Sequence, residues 1–187
     1  EFSKRSIGLT IHMDTVIIKY NAGNIQSVLY ALERIGKTAV VSDDHETIRK
    51  ADKVIFPGVG EASSAMRYLK ERKLDTLVAC LKQPVLGICL GMQLMCRHSE
   101  ENDTECLGIF DEPVKKFETV GGGIKIPQIG WNKVTGTSSI LFKDIPEGSF
   151  FYFEHSYYAA PVPHTVGRAY YILPYSAALH RDNFYGV

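Results

Sequence analysis

The stretch Leu86-Gly-Ile-Cys-Leu-Gly-Met-Gln93 carries the residue types and spacing for nucleophilic chemistry. A short apolar run, Pro84–Ile88, leads into Cys89, and helical spacing begins directly after it, over Leu90–Cys96. Gly87 and Gly91 each stand two residues from the cysteine. This is the glycine–x–nucleophile–x–glycine pattern of a sharp strand-to-helix turn, in which neighbouring chain must pass close to the nucleophile. Such a turn holds the sulfur out at the edge of a sheet. It also aims a helix N-terminus at the sulfur, which favours thiolate over thiol. The next backbone N–H, that of Leu90, would point at a developing oxyanion. The competing reading of Cys89 is a buried structural thiol that happens to follow a strand. Cys80, Cys96 and Cys106 lack this context and read as core residues.

The elements that must position such a nucleophile are legible upstream. Thr15–Lys19 reads as a buried strand, followed by a turn at Tyr20–Asn24 and helical spacing at Ile25, Val28, Leu29, Leu32 and Ile35. Asn24 is placed to cap that helix and Gly36 to stop it. Thr38–Val41, Lys53–Phe56 and Pro84–Ile88 read as further strands, with helical patterns over Asp43–Lys50, Ala62–Lys70 and Leu74–Leu81. Apolar strands alternating with helices predict a three-layer α/β/α fold on a mostly parallel, flavodoxin-like sheet. Sites in such sheets lie at the carboxyl ends of the strands. That gathers three loops on one rim: Tyr20–Asn24, Pro57–Glu61 and Cys89–Gln93. The second half reads differently, with a flexible loop at Gly121–Gly123 and strands at Phe150–Tyr158, Arg168–Leu173 and Phe184–Val187. We read it as an antiparallel extension of the same domain.

Composition narrows the function classes. The chain has 187 residues, 45% hydrophobic and 22% charged, which suits one globular domain. Lys+Arg and Asp+Glu are both 21, so the net charge is zero. That argues against nucleic-acid binding and against a polybasic membrane surface. The longest apolar run, Pro84–Cys96, is interrupted by Gln93 and two glycines and falls short of the about 18 residues a membrane span needs. Residues 1–12 hold no apolar signal core and read as a cloning-derived or disordered extension, with the domain running from 13 to 187. Four cysteines without a CxxC pair, and six histidines without HExxH spacing, predict no metal and a reducing, cytoplasmic setting.

The elbow at Gly87–Gln93 resembles that of the class I (triad) glutamine amidotransferases. Further segments match the same family: Phe56-Pro-Gly-Val-Gly60, Ser99-Glu-Glu101, Pro127-Gln-Ile-Gly-Trp-Asn132, His155-Ser-Tyr-Tyr158 and Asp182-Asn-Phe-Tyr-Gly-Val187. Together with the Tyr20-Asn-Ala-Gly-Asn24 opening they are most similar to the glutaminase subunits of imidazole glycerol phosphate synthases, in histidine biosynthesis. The resemblance implies hydrolysis of L-glutamine to glutamate and ammonia through a cysteine thioester, with no cofactor. Cys89 matches the nucleophile. Val59 and Leu90 match the oxyanion donors, and Gly58, Gly60 and Gln93 the residues lining the glutamine pocket. Glu101 matches the acid that reads the substrate amino group, and Ser156 and Tyr157 the segment that holds its carboxylate. Asn24, Gln128, Trp131 and Asn132 fall where the family's glutaminase meets a cyclase subunit, a (β/α)₈ barrel, as a heterodimer. That barrel takes up the ammonia.

Residue chemistry alone leaves rival readings for several of these positions. Gln93 could be a polar helix residue bonding locally, Glu101 part of a solvated charge cluster, and Trp131 a core side chain. Two departures from the family pattern stand out. The family's base and orienting acid come from a glutamine-phenylalanine-histidine-proline-glutamate run directly after the segment matched by Asn183–Val187. We therefore expect a truncation before that motif, and this chain to be inactive by itself. The alternatives are a non-catalytic glutaminase-like scaffold that binds the cyclase, or the glutaminase of another amidotransferase. His155, His98 and His180 read as structural or solvated, not as substitutes. Glu154 stands where an apolar residue is expected, and strand alternation would turn it away from Phe153 and His155.

Overall fold

The computed structural model describes residues 14–119 and 123–187. The expected extension at 1–12 lies outside the described residues, and of the Gly121–Gly123 loop only Gly123 is described. The first half alternates as the sequence predicts: β1 (Thr15–Ile18), α1 (Ile25–Arg34), β2 (Val40–Ser42), α2 (His45–Lys50), β3 (Lys53–Phe56), α3 (Ala62–Glu71), α4 (Leu74–Ala79), β4 (Val85–Gly87) and α5 (Leu90–Met95). Asn24 caps α1 through its side chain, accepting from the Ser27 N–H at 3.2 Å. Asp44 caps α2 in the same way at 2.8 Å.

The second half holds more strands than its sequence suggests. They are β5 (His98–Ser99), β6 (Thr104–Glu105), β7 (Pro113–Lys116), β8 (Gln128–Lys133), β9 (Phe150–His155), β10 (Tyr157–Ala159), β11 (Thr165–Tyr171), β12 (Leu173–Arg181) and β13 (Phe184–Gly186). The expected single strand Phe150–Tyr158 breaks at Ser156. His155 donates through Nδ1 to the Tyr157 carbonyl two residues on at 2.8 Å, and the Ser156 carbonyl turns to accept from Phe117 N–H at 3.0 Å. The expected strand Arg168–Leu173 is instead a tight β11–β12 hairpin, turning at Ile172 with φ 62°.

A seven-stranded sheet runs in the order β11-β12-β13-β4-β3-β1-β2. The five strands from β13 to β2 are mutually parallel, and β12 and β11 add antiparallel. Two small sheets lie beside it: β10-β7-β5-β6, and a two-stranded ribbon of β8 and β9. The fold is thus α/β on a mixed, mostly parallel sheet. Val16, Ile18, Val54, Phe56 and Val85 pack on one face of the sheet with residues of α2 to α5 to form the main core. A second core gathers Phe117, Tyr158, Ala169 and Tyr175. Among the described residues no helix is long and apolar enough to cross a membrane. Cys80 is exposed, so it is not the core residue its composition class suggested, whereas Cys96 is buried.

The parallel strands β1, β3 and β4 end side by side and deliver the Tyr20, Pro57 and Cys89 loops to one rim. Gly91, at the start of α5, sits against the end of β3. A Cβ there would lie 1.9 Å from the Phe56 carbonyl oxygen, a distance no side chain tolerates. We expect Gly91→Ala to lower the unfolding free energy by at least about 2 kcal/mol, read from urea denaturation, because backbone rather than a movable side chain blocks the added methyl.

Candidate active site

Cys89 occupies the turn between β4 and α5 with φ 53° and ψ −112°, a strained conformation for a non-glycine residue. Hydrogen bonds on both sides hold it there. Cys89 N–H donates to the Val187 carbonyl at 2.7 Å, and Ile88 N–H donates to the Phe56 carbonyl at 3.0 Å. The sulfur thus lies between β3 and β13 at the rim of the sheet.

A cleft of about 500 Å³ opens over Cys89. Val59, Gly60, Leu90, Gln93, Glu101, Ser156 and Tyr157 all line it, so residues far apart in sequence meet at one thiol. Gly58 lies beneath, buried, with its α-carbon facing the Gly91 nitrogen and Leu90 Cβ so closely that a Cβ would be 2.7 Å from each. Gln93 is 7% exposed and donates through Nε2 to the Tyr157 carbonyl at 3.4 Å, joining the elbow helix to the opposite wall. Glu101 reaches the cleft, and its Oε2 also accepts from the Ala62 N–H at 2.8 Å. It thereby supports the start of α3, a duty not legible from residue type or spacing. Glu61 caps the same helix. Its carboxylate accepts from the Ser63 hydroxyl and from Asn102, and these bonds hold its pKa down to about 2.

His155 lines the cleft, but both its ring nitrogens are engaged, by the Tyr157 carbonyl at 2.8 Å and by Gln128 at 3.0 Å. It is a packed, hydrogen-bonded histidine, and burial pulls its pKa down, keeping it neutral. Glu154 alternates away from His155 as expected and also lines the cleft. Sequence reading missed Tyr152 and Pro127 as cleft residues. The signal available for Tyr152 was the same two-residue alternation that turned Glu154 outward.

The thiol itself corrects one expectation. The helix N-terminus was expected to favour thiolate, yet burial pushes the Cys89 thiol up, and the Leu90 N–H only partly opposes this. An apolar cavity of about 360 Å³ also borders Cys89, with Met92, Phe142 and Phe153 in its walls. The nearby Glu154 carboxylate raises the thiol further.

The four expected partner-facing residues separate. Asn24 is exposed, and Trp131 is 71% exposed on the outer face of the β8–β9 ribbon. Gln128 is instead 3% exposed and turned inward onto His155. Asn132 is half-buried and donates to the Tyr170 carbonyl at 2.9 Å. The reason is the strand period: Gln128 and Asn132 are even-spaced and share the inner face, whereas Ile129 and Trp131 share the outer one. The outer face continues across the register pairs Trp131–Tyr152 and Ile129–Glu154, with Trp131 and Tyr152 edge to face at 5.7 Å.

This geometry can be set beside known proteins. The sequence model of the family described as glutamine amidotransferase class-I matches residues 16–187. The chain belongs to that family. The amidotransferase is 55% identical over 173 residues to the imidazole glycerol phosphate synthase subunit HisH of Bacteroides fragilis, covering 92% of this chain and 88% of that protein. It is 44% identical over 177 residues to the subunit of the same name from Yersinia pseudotuberculosis, covering 94% and 89%. Its fold matches a crystal structure of a glutamine amidotransferase from Thermotoga maritima with a TM-score of 0.62 at 16% identity, covering 94% and 74%. PurLQS from the same organism gives 0.66 at 14% identity, covering 95% and 86%.

The raised thiol has a measurable sign. A group whose charged form is disfavoured titrates late, so alkylation of Cys89 by iodoacetamide should inflect above pH 9.0, the ordinary thiol value. Removing the neighbouring negative charge with Glu154→Gln should move that inflection down, read from the pH profile of the labelled Cys89 peptide.

Proposed function

We propose that this amidotransferase is the glutaminase subunit of an imidazole glycerol phosphate synthase. The observation that carries the reading is the convergence, over one strained cysteine, of the Gln93 side of the elbow helix and the glycine-rich Pro57–Gly60 loop. The 55% identity to a HisH subunit supports the choice of synthase. In this reading the side-chain carboxamide of L-glutamine enters the cleft beside Gln93 and Gly60, with Glu101 at its amino end and the Ser156–Tyr157 backbone at its carboxylate.

The Cys89 thiolate attacks the amide carbon. The carbonyl electron pair moves onto oxygen, where the N–H groups of Leu90 and Val59 stabilise it. Collapse of that intermediate breaks the carbon–nitrogen bond. Ammonia leaves with the added proton, and a glutamyl thioester remains on Sγ. Water then cleaves the thioester, releasing glutamate and restoring the thiol. A base must take the thiol proton, and His155 is not that base, since both its nitrogens are engaged. The family's histidine–glutamate pair fits the role. No metal or organic cofactor enters any of these steps.

Ammonia made beside Cys89 has to reach an acceptor before it is lost to solvent. Tyr152 and Glu154 belong both to the cleft and to the outer face of the ribbon that carries Trp131. A partner seated on that face closes over the mouth of the cleft. We infer that this partner is the barrel-shaped cyclase subunit, in a cytoplasmic heterodimer, with Trp131 and Tyr152 as its anchors and Asn24 at the margin. Large aromatic side chains at the centre of an interface carry most of its energy.

The decisive test uses a chloroketone analogue of glutamine, which mimics the amide with a ketone and then traps the sulfur. It should label Cys89 at least tenfold faster than the exposed Cys80, and L-glutamine should protect. Preferential labelling of Cys80 would remove the reading. For the partner, Trp131→Ala should weaken binding to the cyclase subunit by about 2 kcal/mol, roughly thirtyfold in Kd by calorimetry, without changing the melting temperature.

A further inference from the structure

The loop that supplies Val59 is held at one point by a residue to which no role has been given. Tyr20 lies two residues past the end of β1 and is 6% exposed, its ring tilted against Phe56 at 5.3 Å between centroids. Its hydroxyl donates to the carbonyl oxygen of Pro57. The same hydroxyl lies under Gly58, where a Cβ would be 2.8 Å from it. Burial raises the phenol far above the reach of physiological pH, so the hydroxyl keeps its proton and remains a donor.

The consequences run along the backbone. Phe56 is fixed in the sheet, and its carbonyl accepts from Ile88 N–H at 3.0 Å. The next carbonyl, that of Pro57, is fixed by Tyr20. Gly58 is then wedged against Leu90 and the Gly91 nitrogen. After that nothing holds the chain: Val59 is 52% exposed, and its N–H meets no acceptor among the described residues. The Tyr20 bond is therefore the last fixed point before the N–H that must face the oxyanion, one peptide away. Gly58 lies between the two, and its close packing against Leu90 and the Gly91 nitrogen restricts the rotation a glycine would otherwise have, so the direction of the Val59 N–H follows the plane of the Pro57–Gly58 peptide.

We propose that Tyr20 is a positioning residue for catalysis: its hydroxyl sets the plane of the Pro57–Gly58 peptide and so aims the Val59 N–H at the oxyanion over Cys89. The inference rests on the glutaminase reading above. It goes further in assigning the geometry of the oxyanion loop to a side chain in a different loop, which is not among the residues lining the cleft. It also means that anything displacing the Tyr20 hydroxyl displaces an oxyanion donor.

Tyr20→Phe removes the hydroxyl and keeps the ring. Two reagents separate positioning from plain stability. The glutamine chloroketone reacts through addition of the Cys89 thiolate to its carbonyl, which places negative charge on oxygen, before sulfur displaces chloride. Iodoacetamide reacts by direct displacement of iodide and forms no oxyanion. Complete loss of an oxyanion donor costs about 10²–10³ in rate, and a misdirected one a part of that. In Y20F the chloroketone rate at Cys89 should fall at least about tenfold. The iodoacetamide rate should stay within about twofold, which also shows that the pocket is still folded.

Asn21→Ala serves as the second variant. It removes the bond from Asn21 Nδ2 to the Ser64 carbonyl, 3.2 Å, and loosens the same loop while leaving the hydroxyl in place. Its chloroketone rate should match the parent protein. Equal chloroketone rates in Y20F and the parent would overturn the inference and leave the glutaminase reading intact. So would an N21A loss as large as that of Y20F, since loop integrity would then explain both. Equal and parallel loss with both reagents in Y20F would likewise assign Tyr20 a purely structural role. A parent protein whose Cys89 shows no preference for the chloroketone would remove the glutaminase reading and the inference with it.

Discussion

The site depends on one close approach, that of the first turn of α5 to the end of β3. Gly91 lies where any side chain would overlap the Phe56 carbonyl. That contact brings the cysteine turn and the Pro57–Gly60 loop into one cleft, so that Cys89, Leu90, Val59 and Gly60 line a shared space. It also permits the strained backbone of Cys89, because the flanking bonds to Phe56 and Val187 over-determine the turn. Relax the approach by an ångström and the sulfur, the Leu90 N–H and the Val59 loop would no longer address the same atom.

Around this fixed point the chemistry is held at rest. The thiol is buried and sits near the Glu154 carboxylate, and both favour its neutral form. A resting thiol is unreactive toward water and stray electrophiles. The ribbon of β8 and β9 links this restraint to assembly. One of its faces bears Trp131 and Tyr152 outward, while its inner side holds Gln128 and His155, which in turn holds the Tyr157 carbonyl that Gln93 also reaches. The exposed aromatic face and the wall of the cleft thus belong to the same two strands.

Much of this was legible before any coordinates. The parallel strands announced themselves as short apolar runs, the cap at Asn24 by its residue type, and the nucleophile by flanking glycines. Gln93 was placed facing the cleft by helical spacing alone. What was not legible depended on pairing between distant segments. The strands β5 to β8 are short or polar, with too little periodicity to read. The break at Ser156 arises from a histidine bond and from a carbonyl turned toward Phe117. Gln128 and Asn132 could be assigned to a partner surface only until the register of β8 turned them inward.

The sequence by itself determined which cysteine stands on the sharp strand-to-helix turn and which loops meet at the rim. These follow from local backbone demands, since a strained turn needs its glycines and a buried strand its apolar run. Only the tertiary structure decided the sign of the Cys89 shift, the double engagement of His155, the support Glu101 gives to α3, and the tie between Tyr20 and Pro57. Each of these is set by burial or by a hydrogen bond between residues far apart in the chain. Such contacts carry no signature in either segment alone, because their energy exists only once water has been excluded from between them.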